Sequence, residues 1–285
     1  MRAVAAHIYT ALSQSARAGL IEEGTTGLLA DLTIASLALL RQAPTRDLIS
    51  LVPGKAYFGF LREAHMSRPV RRDLFDFDLV EQNIGRFRDR TYTALPENEL
   101  QRFLYTMAIS YCCATDLAGR DDRKTPATFF EYLIGNIFGR EFGVNPRTQV
   151  EVLNLDMRAT LPTDFVFDLG QEHRRVHLPV KLSTRERVVQ VWAHQKVLDG
   201  VYGVGRFRGV LVVLTETKVD KRSLEVIEIC LPEQWRVYQL FIAQLFRVYY
   251  LDVPNRYAAL RDVPPHIQVK YLSQFFGEKD ALIGQ

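Results

Sequence analysis

The chain has 285 residues, 47% of them hydrophobic and 24% charged, with a formal net charge of +3. This length suits one large domain or two modest ones with a substantial buried core. The charge is too small for a protein that binds polyanions over its whole surface, so any nucleic-acid contact must come from local clustering. Cys112, Cys113 and Cys230 include no CxxC pair. That argues against a zinc site or a disulfide framework and for buried free thiols in a reducing cytoplasm. His7 and Tyr9 interrupt any signal-like run at the start. The apolar stretch from Leu28 to Leu40 carries Asp31 and is short for a bilayer span. No export signal and no membrane segment is expected.

Residues 1 to about 120 read as a mainly helical N-terminal region. Thr25, Thr26 and Gly27 precede a helical spacing of Leu28, Leu29, Ile34, Leu37 and Leu40. Arg68 to Arg90 is charge-rich and irregular, expected as loop and short helix. Pro96 opens a further helix with Leu100, Phe103, Leu104 and Met107 on one side and acidic residues in its first turn. The polar segment Asp116 to Thr125 is a boundary, dividing 1–120 from a second domain over 121–285. Thr125 and Pro126 then start a helix through Phe129, Phe130, Leu133, Ile134 and Ile137. Strands are expected over Gln149–Leu155, Asp164–Leu169 and Arg175–Leu182. A helix capped by Ser183 should run to about Leu198. The continuous apolar run Gly209–Leu214 has the composition of a strand covered on both faces. Another strand over Glu225–Cys230 and a long amphipathic helix over Pro232–Tyr250 complete the pattern. The order implies an α/β (α+β) domain, a mixed sheet with helices on its faces.

A chemical constellation lies in the second half. Asp164 follows Pro162 and Thr163, and Lys181 lies near the end of the next strand; a hairpin would make the two adjacent. A carboxylate that holds a divalent metal and a cation beside it are what phosphodiester hydrolysis needs, with Mg²⁺ favoured by oxygen ligands. The same pair also arises as ordinary surface charge. Gln195 falls on the apolar face of Val188, Val191, Trp192 and Leu198, either as a buried amide bonded to backbone or with its oxygen near a metal. Glu131, between Phe130 and Tyr132, is costly to bury unless it is hydrogen-bonded or bound to metal. Arg185, Glu186 and Arg187 directly follow the Lys181 strand. Arg can fork onto guanine and Glu can accept from cytosine, while a capped, salt-bridged helix start is the plainer alternative. Arg174, Arg175, His173 and His177 lie around them as a basic patch suited to DNA phosphates.

Together these stretches resemble type II restriction endonucleases of the PD-(D/E)xK superfamily, in the group that recognises a CCGG or CC-N-GG core (relatives of EcoRII and NgoMIV). FFEYLIG (Phe129–Gly135) is similar to the helix with an upstream acid, and PTDF (Pro162–Phe165) to the PD motif with Thr163 inserted. PVKLSTRER (Pro179–Arg187) resembles the catalytic Lys with its base-reading element, and VWAHQKVL (Val191–Leu198) the helix with a displaced metal-site acid. The resemblance covers roughly residues 127 to 200. It implies a restriction-endonuclease-like fold and Mg²⁺-dependent cutting of double-stranded DNA by a homodimer, with a cognate DNA methyltransferase in the same system. It implies that Asp164, Glu131 and Gln195 form the metal site and that Lys181 positions the attacking water. Arg185, Glu186 and Arg187 would read bases, and Arg174, Arg175 and Ser183 would contact the backbone. Two positions depart from the pattern: Pro179 stands where an acid precedes the Lys, and Gln195 where relatives carry Glu.

Overall fold

A computed structural model describes residues 2–118, 124–154, 157–220 and 222–284; of residues 2–4, 153–154, 157–158 and 186–187 it describes the backbone only. Helices α1 (Arg2–Ala18) and α2 (Glu23–Leu40) come first. Short strands β1 (Thr45–Asp47), β2 (Ile49–Ser50), β3 (Tyr57–Arg62), β4 (His65–Met66) and β5 (Val70–Arg71) follow. Then come helices α3 (Phe77–Arg88), α4 (Glu97–Asp116) and α5 (Lys124–Phe142). Strands β6 (Arg147–Asn154), β7 (Met157–Phe167), β8 (Arg175–Leu178) and β9 (Val180–Lys181) lead into a 3₁₀ turn at Arg185–Val188 and helix α6 (Val189–Tyr202). The remainder is β10 (Phe207–Val213), β11 (Thr217–Val219), β12 (Glu225–Glu228), α7 (Pro232–Phe241), β13 (Leu245–Tyr250), α8 (Asn255–Ala258), β14 (Val269–Tyr271) and α9 (Phe275–Ile283).

These elements form two compact units, Met1–Asn136 with Thr217–Ile229, and Ile137–Glu216 with Cys230–Gln285. The boundary expected near residue 120 falls on residues 119–123, outside the described ones.

The first unit is rich in helix, as its sequence implies, but it also holds a sheet of order β1-β3-β4 with β5 beside β3, and a three-stranded sheet β11-β12-β2. Tyr57, Phe58 and Phe60 give β3 the aromatic content that favours a pleated, half-covered surface. Helix α2 has the length and apolarity of a membrane-crossing helix. In this unit, however, Leu29, Ala30, Leu32, Leu37 and Leu40 are buried, and the Thr33 and Ser36 hydroxyls donate to carbonyls one turn back. Lys55 and Glu228 form a buried ion pair at 2.8 Å.

The second unit is built on a mixed sheet of order β14-β13-β10-β8-β7-β6, with β9 continuing the β8 edge of β10. Strands β14, β13, β10, β8 and β9 are mutually parallel; β7 and β6 each run antiparallel to the neighbour before them. One face is covered by an apolar cluster of Val188, Val191 and Trp192 before and on α6, Trp235 on α7, and Leu211 and Val213 on β10. Across the sheet an aromatic group of Phe138, Phe142, Phe167, Tyr249 and Phe275 fills the other face. The run Gly209–Leu214 is thus covered twice, as its unbroken apolar sequence anticipates.

Three expectations change. The helix expected over Pro232–Tyr250 ends at Phe241, and Leu245–Tyr250 is strand β13, a central strand of the large sheet. The buried Gln239 amide makes that break: it accepts from the Leu245 N–H, donates to the Leu245 carbonyl and accepts from the Trp192 indole. The strand expected over Glu225–Cys230 forms at Glu225–Glu228, but it pairs with β11 and β2 in the first unit. The helix expected from Ser183 starts at Val189, after the 3₁₀ turn.

Candidate functional site

Strands β7 and β8 are antiparallel neighbours, with Phe165 opposite Leu178 and Val166 opposite His177. Asp164 therefore lies one step further, beside Pro179. Proline has no N–H for a ladder and interrupts the strand there, which is why β8 and β9 are separate elements. Asp164 takes up the chain just past the interruption: its Oδ2 accepts from the Val180 N–H at 2.8 Å. The same oxygen accepts from Lys181 Nζ at 2.5 Å. Lys181 is fixed in turn by β10, where it pairs with Val213 and accepts from the Leu214 N–H at 3.1 Å. Both side chains keep a solvent face, Asp164 being 22% and Lys181 35% exposed.

Behind this pair lies a buried polar relay. Gln195 on α6 accepts from His177 Nδ1 at 3.1 Å and donates to the Phe207 carbonyl at 2.9 Å and to Asp199 at 3.0 Å. Because the amide nitrogen faces Phe207 and Asp199, its oxygen faces the ring, which assigns the His177 proton to Nδ1. The amide reaches this position only because β10 has a glycine at its closest point. A Cβ on Gly209 would stand 2.6 Å from Gln195 Oε1 and 2.8 Å from Leu245. His177 is fully buried, and burial pushes its pKa down to about 4. It is therefore neutral near pH 7 and cannot belong to the phosphate-binding patch expected from the sequence. His194, half-buried on α6 with its ring 6.3 Å from His177, is also lowered, first by burial and then by the Lys181 charge, while Asp164 opposes the shift. Sequence reading gave His194 no part; only the fold places it beside the pair.

Arg185 is exposed on the 3₁₀ turn directly after β9, and Ser183 is half-buried before it. The side chains of Glu186 and Arg187 lie outside the described residues. Arg174 donates to the Gly205 carbonyl at 2.8 Å. Arg175 is paired with Asp168 at 3.1 Å, with its guanidinium over the Tyr202 and Phe207 rings. Glu131 is half-buried on the part of α5 that belongs to the first unit.

Among the described residues, no group of three or more His, Cys, Asp and Glu side chains is placed to hold a metal. The Asp164 oxygen that carries no hydrogen bond among the described residues, Oδ1, is a hard donor with a solvent face. That suits Mg²⁺, which commonly binds through one or two carboxylates and keeps waters and substrate phosphates as its other ligands. The Gln195 oxygen is taken by His177.

The mixed sheet, its helical cover and the β7–β9 arrangement make a restriction-endonuclease-like fold. The structure is similar to the crystal structure of the type IIP restriction endonuclease Kpn2I, with a TM-score of 0.81 over 98% of this chain and 97% of that one, at 23% identity. A restriction endonuclease PspGI–substrate DNA complex aligns over 72% of this chain and 91% of that one, with a TM-score of 0.46 and 13% identity. No protein-family model matches the sequence, and no curated protein does.

Proposed function

We propose that this chain is a type II restriction endonuclease, hydrolysing double-stranded DNA at a palindrome with a CCGG or CC-N-GG core. The observation that carries the reading is the Lys181–Asp164 contact at the Pro179 interruption, on a fold shared end to end with a restriction endonuclease. Asp164 would hold Mg²⁺ through its unengaged oxygen. Bound Mg²⁺ supplies a water of lowered pKa and neutralises charge on the phosphate. Lys181 orients the attacking water and steadies the charge that develops on the phosphoryl oxygens. Gln195 is assigned to the His177 relay, where its amide positions the strand behind the pair. Arg185, with Glu186 and Arg187, would read guanine and cytosine, and a good bidentate contact of this kind gives about 1–3 kcal/mol of discrimination. Arg174, Arg175 and Ser183 would meet the DNA backbone. A palindromic target suits a two-fold dimer in which each subunit cuts one strand, and a partner methyltransferase would protect the same site.

Digestion of a plasmid of known sequence tests the reading. It expects discrete fragments with 5′-phosphate ends in Mg²⁺ and intact plasmid in EDTA. A smear of fragments, or no cutting at any Mg²⁺ concentration, would count against it.

A further inference from the structure

Past Lys181 the chain remains in register with the end of β10. The Leu214 N–H donates to the Lys181 carbonyl at 3.1 Å, and the Thr215 N–H to the Leu182 carbonyl at 3.2 Å. One step on, a side chain takes over from the backbone. Glu216, 1% exposed, accepts on Oε1 from the Thr184 N–H at 2.9 Å and from the Thr184 hydroxyl at 2.6 Å. The same oxygen accepts the Tyr250 hydroxyl at 2.8 Å. Tyr250 ends β13 and pairs with Val213, which itself pairs with Lys181. The carboxylate is thus held from the strand beyond and holds, in turn, the first residues after the lysine.

The residue that follows Thr184 is Arg185, exposed and with φ of +37°. A non-glycine residue enters that region only where its surroundings impose it. No ion pair to Glu216 occurs among the described residues, and an unpaired carboxylate is costly to bury. Burial raises its pKa to about 7, against the Thr184 and Tyr250 bonds and the Arg185 charge. Simple packing would be served by an apolar side chain of the same size. A carboxylate that gathers three donors instead fixes both the place and the direction of Thr184.

We propose that Glu216 is a positioning residue for DNA recognition: by holding Thr184 it sets where Arg185 leaves the end of β9, and so aligns the base-reading turn with the Asp164–Lys181 pair. The inference rests on the DNA-recognition part of the reading above, and its test does not require cutting. A preferred site is first selected from a pool of random duplexes by binding to the wild-type chain. Dissociation constants are then measured on that site and on a scrambled duplex of equal length and composition. Glu216→Leu should weaken the selected site about tenfold or more, the loss expected of a hydrogen bond to a charged group, while the scrambled duplex is bound as before. Glu216→Gln, which keeps an acceptor oxygen, should restore most of the ratio. Thr184→Val keeps the shape and the N–H but drops the hydroxyl, and it should fall between them. Equal weakening on both duplexes, or an unchanged ratio, in variants with wild-type circular dichroism would overturn the proposal. If Glu216→Leu does not fold, the Thr184→Val ratio decides in the same way. Failure of the wild-type chain to enrich any site would remove recognition itself and the proposal with it. Enrichment without cutting would overturn only the nuclease reading.

Discussion

Replacing Glu216 by Gln should change how the stability of this protein depends on pH, in a direction the structure fixes. In the folded chain the carboxyl is buried among Thr184, Tyr250 and the end of β10, and its pKa is raised from the ordinary 4.5 to about 7. A folded-state value above the unfolded one means that the folded state binds the extra proton between those two pH values. The stabilisation is therefore fully present below about pH 4.5 and is lost as pH rises through 7. A gap of about 2.5 units at 1.36 kcal/mol each corresponds to about 3 kcal/mol over the full range. Gln does not titrate. The difference in unfolding free energy, wild type minus Glu216→Gln, should thus fall by about 2–3 kcal/mol between pH 5 and pH 8. Urea unfolding of both proteins at half-unit steps of pH reads it directly. Carboxyls held low by cationic partners, such as Glu278 beside Arg247 and Lys270, act in the opposite sense but cancel in the difference. Parallel curves for the two proteins would refute the claim that this buried carboxyl changes its proton affinity on folding.

Two further substitutions probe the frame around the site. Gly209→Ala should lower stability by about 3 kcal/mol in denaturant titration, because the added methyl overlaps Gln195 and Leu245 and displaces a buried amide from its partners; a loss under about 0.5 kcal/mol would contradict the close packing. Lys55→Met leaves the Glu228 carboxylate buried without its cation and should cost about 3–5 kcal/mol, much of it recovered by adding Glu228→Leu; equal losses for the single and double variants would contradict it.

Much of the second unit was legible in the sequence because local signals there agree with tertiary ones. The unbroken apolar run Gly209–Leu214 is a strand covered on both faces. Asp164 and Lys181 meet as a hairpin requires. The failures share a cause. The segment Pro232–Tyr250 keeps helical spacing with no Gly or Pro to stop it, and the break depends on Gln239 satisfying the Leu245 backbone, a contact defined only by the fold. His177 reads as a cation beside Arg174 and Arg175, but its ring points off the sheet beneath α6, against Gln195, where burial keeps it neutral. Glu216 carries no local motif at all. Its partners Thr184 and Tyr250 are each more than thirty residues away in sequence, so that nothing short of the sheet register reveals them.

The central claim is that Asp164 and Lys181 together act on a scissile phosphate. The most direct test is single-turnover cutting of the mapped site by the wild type, Asp164→Ala and Lys181→Ala in Mg²⁺, with binding measured on the same DNA. Each variant should lose at least about a hundredfold in cutting rate while binding the duplex within about threefold of wild type. Wild-type cutting by either variant would contradict the account.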